Sequence, residues 1–203
     1  MLAALLALLV GASHADAPGD FDYYLLSLSW SPQYCAESSR GHESQCDGTR
    51  PYAFVVHGLW PQHERGYPKN CGRGAYLPQT LINRLLPLMP DKRLIIHEWQ
   101  QHGTCSGLDA EAYFGQVERV WRTLRVPPRY QQVPDYLSTD VVSLKASFIE
   151  ANPSLTAAGM ITQCRGAYLQ ELRICLDRNL RPRACGTDLH DRCDKPVVLR
   201  PTR

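Results

Sequence analysis

The chain has 203 residues, enough for one domain with a sizeable hydrophobic core. Its 22 basic residues nearly balance its 20 acidic residues, and the formal net charge is +2 at pH 7. This balance excludes the strongly basic composition of proteins that hold nucleic acid non-specifically, although it permits a local groove for a charged substrate.

Residues 1–15 form a short apolar run followed by small residues, the pattern of a secretory signal peptide, although no Lys or Arg precedes the run. The run is too short to span a bilayer. All 8 cysteines follow it, and an even number in an exported chain indicates four disulfides, with the pairing left open. We therefore expect a single domain over residues 16–203, secreted or periplasmic.

Two early segments have the two-residue alternation of strands. Residues 22–30 place Tyr24, Leu26 and Leu28 on one face. Residues 53–57 predict a shorter strand, after which we expect the chain to turn at Gly58. His57 would then stand at a strand end.

Helices are predicted in the middle of the chain. Pro78 can open one helix, and Asp109 can cap another. Ser138 or Thr139 is expected to cap a third, which Pro153 ends.

Late strands are predicted over residues 161–164 and 167–176, joined as a hairpin, and residues 197–199 predict a last edge. Strands at both ends with helices between them favour an α+β fold, an antiparallel sheet flanked by helices.

The segment 97–105 holds the most informative spacing. We place it on a helix that Gly103 stops, where Glu98 and His102 share a face because they stand four residues apart. His97 and His102 stand five apart and diverge. A zinc-protease motif needs two histidines four apart, and position 101 is Gln. An acid/base site without a metal fits this spacing better.

Imidazole can serve as acid or base near neutral pH. His57, in the segment 57–61, and His102 could remove a proton from an attacking hydroxyl and deliver one to a leaving oxygen. Glu98 could orient or charge an imidazole. The ribose 2′-hydroxyl of RNA, already attached beside its phosphate, is a nucleophile that needs little more.

The two histidine segments resemble the paired active-site segments of the ribonuclease T2 family, the acid, cyclising endoribonucleases. Residues 21–35 resemble the opening strand of that family, and residues 148–153 resemble a later helix end. The resemblance covers nearly the whole chain after the leader. It implies the ribonuclease T2 fold and cleavage of single-stranded RNA to 2′,3′-cyclic phosphates, which are then hydrolysed to 3′-phosphates.

The resemblance also implies residue roles. His57 would be the general base and His102 the general acid, with the reverse assignment left open, while Glu98 and His97 would contact the phosphate. The implied disulfides are Cys35–Cys46, Cys71–Cys105, Cys164–Cys193 and Cys175–Cys185.

Substrate contacts are expected from Trp60, Gln62 and Tyr67, which would form a base pocket, and from Gln101. The family usually has Lys at position 101, so this chain lacks a charge that would face the phosphate. Lys69 or Arg73 could replace it. Trp99 is assigned to the core, and His42, His63 and His190 to the surface.

Two other functions compete with this one: a non-catalytic disulfide scaffold that binds RNA or another partner, and a zinc hydrolase. Intact His57, Glu98 and His102 oppose the scaffold, and the histidine spacing opposes zinc. We expect a monomer that acts on single-stranded RNA, with no cofactor, metal, membrane or obligate protein partner.

Overall fold

The computed structural model describes residues 16–38, 44–68, 71–194 and 196–202. The predicted signal peptide, His42 and Lys69 lie outside these residues. The strands are β1 Tyr23–Trp30, β2 Phe54–Gln62, β3 Leu137–Thr139, β4 Met160–Arg165, β5 Tyr168–Leu176 and β6 Val197–Leu199. The α-helices are α1 Ser31–Glu37, α2 Gln79–Leu85, α3 Lys92–Gln101, α4 Ala110–Thr123 and α5 Val141–Ala151.

The six described strands form one sheet in the order β2-β1-β5-β6-β3, and β4 pairs with β5 outside this path. All pairs are antiparallel except β5 and β6, which run parallel with Tyr168 opposite Val198. The fold is thus α+β as predicted, but the sheet is mixed. The predicted edge strand, residues 197–199, lies inside the sheet because β3 covers it.

The side chains of β1 point alternately to two hydrophobic clusters, in agreement with the faces that the alternation predicted. Tyr24, Leu26 and Leu28 belong to the main cluster, into which the helices pack, and Tyr23 and Leu25 face a smaller cluster on the other side. Burial of both faces explains why β1 lies between two neighbours rather than at an edge.

Strand β2 is longer than predicted. It continues through Gly58 to Gln62, so the expected turn at Gly58 is wrong. The register slips instead: Ser27 faces Gly58 and Leu28 faces Val56. His57 therefore has no residue opposite it, which makes it the extra residue of a β-bulge.

β2 is an edge strand, and other elements bind its open side. The Val56 amide donates to the Leu88 carbonyl at 2.9 Å. The Tyr113 hydroxyl, from α4, donates to the Leu59 carbonyl at 2.9 Å. These bonds hold the strand that carries His57 against the helical layer.

The helix caps were predicted in part. Pro78 precedes α2, and Asp109 caps α4 by accepting from the Ala112 amide. The predicted cap of α5 is wrong: Asp140 caps it by accepting from the Ser143 amide, because Ser138 and Thr139 are already paired with β6 in β3.

Four disulfides join the pairs that the resemblance implied: Cys35–Cys46, Cys71–Cys105, Cys164–Cys193 and Cys175–Cys185. Within the described residues, no helix has both the length and the apolar character required to cross a membrane.

Candidate active site

The bulge in β2 presents His57 on the sheet face opposite the main core. Glu171 and Arg173 of β5 lie on that face, since they stand opposite Ser29 and Ser27 of β1. Glu171 Oε1 is 2.6 Å from His57 Nδ1. The Arg173 Nε donates to Glu171 Oε2 at 2.8 Å, and its Nη2 lies 2.7 Å from the same oxygen. A continuous chain of contacts thus runs from guanidinium to carboxylate to imidazole.

Helix α3 brings Glu98 to the other side of His57. Its side chain is 1% exposed, and its Oε1 lies 3.5 Å from His57 Nε2. Its Oε2 accepts from the Trp60 indole N–H at 2.6 Å. A Cβ at position 58 would collide with this carboxylate and with the indole, so glycine permits the close approach of α3 to β2.

His102 lies where α3 ends, as the C-cap residue. Its ring packs on Trp60 with centroids 5.1 Å apart, and Trp60 also lies 5.2 Å from the ring of His57. Trp60 therefore contacts both imidazoles. No carboxylate of the described residues forms an ion pair with His102.

The two imidazoles have opposite electrostatics. Burial opposes the charge on His57, but the Glu171 hydrogen bond and the Glu98 charge outweigh burial, so the pKa of His57 is raised above its ordinary value. Burial lowers the pKa of His102 to about 4, and the charges of His97 and His57 act in the same direction.

The two carboxylates also differ. Burial raises the pKa of Glu98 to about 7, against the opposing effects of His57 and Trp60. Burial would raise the pKa of Glu171 as well, but the hydrogen bond and charge of His57, with the charge of Arg173, lower it to about 2. Glu171 is thus the permanently ionised partner of His57, whereas Glu98 can carry a proton in mildly acidic solution.

The other predicted site residues differ in their exposure. His97 and Gln101 are exposed on α3, and Tyr67 is 49% exposed. Gln62 is buried and donates to its own Pro61 carbonyl at 2.8 Å. Trp99 is buried in the core, as predicted.

Further predicted residues lie at the surface. Arg73 and His190 are exposed, and His63 is partly exposed. Among the described residues, no hydrogen bond or ion pair joins Arg73 to either imidazole.

Sequence reasoning missed Glu171 and Arg173. A signal was present, since these two charged residues alternate with Leu172 and Ile174 in the strand predicted over residues 167–176. They border a cavity of about 190 Å³ together with Tyr34, Gln163 and Gln170. Within the described residues, no group of three or more His, Cys, Asp or Glu side chains has the arrangement of a metal site.

The model of the ribonuclease T2 family matches residues 21–185. The chain belongs to the ribonuclease T2 family. It is 37% identical over 185 residues to a ribonuclease of Aeromonas hydrophila, covering 84% of this chain and 75% of that protein. It is 30% identical over 188 residues to a probable ribonuclease of Haemophilus influenzae, covering 84% of this chain and 63% of that protein.

The fold likeness extends to solved structures. The structure of trichomaglin, described as an S-like ribonuclease, matches with a TM-score of 0.74 at 20% identity, covering 91% of this chain and all of that one. Family membership makes this chain an endoribonuclease, so the scaffold alternative is set aside.

Proposed function

We propose that this ribonuclease cleaves single-stranded RNA without a metal, through attack of the 2′-hydroxyl on the adjacent phosphate. The observation that carries the proposal is that two imidazoles in different electrostatic surroundings both contact Trp60. His57 lies between two carboxylates, and His102 contacts none within the described chain. Such a pair can supply both proton transfers of the reaction.

In the first step, His102 takes the 2′-hydroxyl proton as the 2′-oxygen bonds to phosphorus. His57 gives its proton to the 5′-oxygen as the bond between phosphorus and that oxygen breaks. The products are a 2′,3′-cyclic phosphate and a 5′-hydroxyl. This assignment reverses the roles that the resemblance implied, because the imidazole flanked by carboxylates is the one that rests protonated.

In the second step, water attacks the cyclic phosphate, and the two histidines exchange roles. His57 takes a proton from water, His102 returns one to the 2′-oxygen, and a 3′-phosphate remains. Each histidine ends the cycle in its starting protonation state, so no further acid or base is needed.

Glu98 is proposed to contact the phosphorane. Its raised pKa lets it donate a hydrogen bond to a phosphate oxygen in acidic solution, where an ionised carboxylate would repel the phosphate. Exposed His97 and Gln101 are proposed to bind phosphate from α3.

Trp60, Gln62 and Tyr67 are proposed to bind a base. Half-exposed Tyr67 offers a ring face for stacking. Gln62 is buried, so we expect it to act by shaping the pocket rather than by reaching the base.

Four disulfides support an exported site of action, secreted or periplasmic, since such bonds persist in oxidising compartments. We propose that the enzyme acts as a monomer without a cofactor.

The deciding experiment incubates the disulfide-intact protein with a dinucleotide and with a longer RNA, each with and without a chelator. Phosphorus NMR identifies the ends formed. A cyclic phosphate followed by a 3′-phosphate, unaffected by chelator, is the expected result. Cleavage lost with chelator would replace the mechanism by a metal-dependent one, and 5′-phosphate ends would exclude attack by the 2′-hydroxyl.

A further inference from the structure

We infer that Glu171 and Arg173 are positioning residues, a charge pair on β5 that fixes the orientation and the protonation of His57. The inference rests on the proposed function. Neither residue belongs to the two histidine segments, and Glu171 lies 114 residues along the chain from His57.

The first step concerns the His57 tautomer. An ionised carboxylate accepts hydrogen bonds and donates none, so the 2.6 Å contact requires the proton to stay on His57 Nδ1. Nε2 is then the atom that exchanges protons, and it lies on the side of Glu98. Glu171 thereby selects which nitrogen meets the substrate.

The second step concerns Arg173. Two of its nitrogens contact the same oxygen of Glu171, and its guanidinium lies 5.0 Å from the ring centre of Trp60. It thus links Glu171 to the aromatic ring that contacts both histidines. Its positive charge keeps Glu171 ionised but also repels a proton on His57.

The two members of the pair therefore act on His57 with opposite signs. Among the described residues, the charged and titratable groups near this imidazole are Glu98 of α3, His102 directly after α3, and Glu171 and Arg173 of β5. Tyr34 and Glu37 of α1 line the same cavity as His57. Among these groups, only the β5 pair contacts Nδ1, through Glu171, and also includes a cation, Arg173, that offsets the carboxylate charge.

The test measures the pKa of His57 directly, by NMR titration of the imidazole C–H signals, with His57→Ala to assign them. We expect Glu171→Gln to lower the His57 pKa by about one pH unit and Arg173→Gln to raise it by a smaller amount. Arg173→Lys should restore a value near the wild type. Matched controls are Glu150→Gln and Arg119→Gln, at exposed positions on α5 and α4.

Turnover on a dinucleotide supplies the second readout. The alkaline limb of the pH profile should move down in Glu171→Gln and up in Arg173→Gln, with kcat lowered about tenfold or more and KM changed less. A purely structural role predicts lower stability with unmoved His57 pKa values, which would overturn the inference. The NMR titration does not depend on turnover, so the two proposals can fail separately. A His57 pKa that is the same in the variants and in the wild type would contradict only this inference. An inactive wild type whose variants show the expected pKa changes would contradict only the proposed function.

A separate observation concerns a cavity of about 270 Å³ on the other side of α1. It is lined by two arginines and two tyrosines, Arg50, Arg200, Tyr52 and Tyr136. None of the described residues that line it is acidic. Cations interleaved with aromatic rings are the surface that single-stranded nucleic acid binds.

Arg200 is held in place there without a countercharge. Its Nε donates to Gln33 at 2.6 Å, its Nη1 donates to the Tyr136 hydroxyl at 3.1 Å, and its guanidinium stacks 4.1 Å from the ring centre of Tyr168. Within the described chain, neither Arg200 nor Arg50 forms an ion pair with a carboxylate. Two arginines without a carboxylate partner among the described residues favour an anionic ligand.

We propose that this cavity, the Arg50–Arg200 pocket, binds a phosphate and base of the same RNA strand, away from the bond that is cleaved. The proposal rests on the proposed function. Tyr34 and Glu37 of α1 border the His57 cavity, and Pro32 and Ala36 border the Arg50–Arg200 pocket. A helix about 10 Å across separates the two cavities, a span of about three nucleotides of stacked strand.

The test compares a dinucleotide, which is too short to reach the pocket, with an oligonucleotide of eight residues. We expect Arg50→Gln and Arg200→Gln to lower kcat/KM on the longer substrate at least threefold more than on the dinucleotide. The slope of log kcat/KM against log salt should become shallower by about 0.7 for each lost phosphate contact. Arg119→Gln is the matched control.

Equal losses on both substrates would mean that the pocket only supports the fold, and an unchanged salt slope would exclude phosphate binding there. Either result overturns the proposal. A wild type that cleaves neither substrate would instead fail the proposed function.

Discussion

The two sides of the candidate active site are built differently. His57 belongs to a paired strand and lies between carboxylates from two other elements, whereas His102 ends a helix and rests on an indole ring. The first setting favours a protonated imidazole and the second a neutral one. Two identical side chains thus obtain the opposite properties that acid/base catalysis needs from their surroundings alone.

The largest expected effect comes from removing either imidazole. His57→Ala and His102→Ala should each lower turnover on a dinucleotide by about 10²–10⁴-fold, because each removes one proton transfer. Circular dichroism should show an unchanged fold, and His190→Ala, at an exposed position, should remain active. If a folded variant kept more than a tenth of the activity, its histidine would not belong to the core mechanism.

Removing the Cys71–Cys105 disulfide should lower stability and should also disturb the position of His102. The disulfide spans 34 residues, and loop closure of that length contributes about 3–4 kcal/mol to stability. Cys105 follows His102 by three positions, so turnover should fall as well. The matched control is Cys164–Cys193, which spans 29 residues and ends on β4.

Two measurements separate the loss of stability from the loss of turnover. Thermal unfolding gives the first, and turnover at a temperature where both disulfide variants are folded gives the second. Similar stability losses with a larger loss of kcat in the Cys71–Cys105 variant are expected. Equal kcat in the two variants would mean that this bond does not help to position His102.

Gly58→Ala should instead disturb the packing of α3 against β2 beside His57. The added methyl would meet the Glu98 carboxylate and the Trp60 indole, so α3 and β2 must move apart. Such overpacking costs about 1–3 kcal/mol. Chemical denaturation measures the loss, and Gly115→Ala, where the methyl meets open space, is the control. Equal stability of the two variants would contradict the tight contact.

The pH response tests the comparison without any substitution. The signal of His102 should titrate near pH 4, and the signal of His57 at a pH above the ordinary histidine value. Turnover should rise as pH increases past about 4, where His102 loses its proton, and fall where His57 loses its own. Overlapping titrations of the two imidazoles would remove the basis for assigning them different roles.

The smallest expected effect is a gain. Gln101→Lys places a cation one residue before His102, where it can stabilise the phosphorane more than the ground-state phosphate. We expect maximal turnover to rise about threefold, while the new charge lowers the pKa of His102 further and moves the acid limb of the profile downward. Complete pH profiles of both forms are required. An equal or lower maximum would mean that position 101 does not face the phosphate.

Much of this architecture could be predicted from the sequence. The alternation in β1 predicted which of its residues share a face, and the resemblance implied every disulfide. The grouping of His57 with Glu98 and His102 followed from the two segments, because family members share their arrangement. Hydrophobic alternation and the resemblance to a family can both be recognised from one amino-acid sequence.

Other features depend on pairing between distant strands. Gly58 resembles a turn residue, and only the register with β1 reveals that the strand continues through a bulge. Glu171 becomes a partner of His57 because β1 aligns two strands that are far apart in the chain. The parallel contact of β5 with β6 has no local signature either, since it follows from where the last segment returns.

The bonds on the open side of β2 bear on how the enzyme resists aggregation. An edge strand normally exposes amides and carbonyls that another unfolding copy can pair with, the first event of aggregation. Here the Leu88 carbonyl and the Tyr113 hydroxyl occupy two of those groups. The strand that carries His57 therefore offers a poor template for intermolecular β-pairing, and the opposite edge, β3, is only 3 residues long.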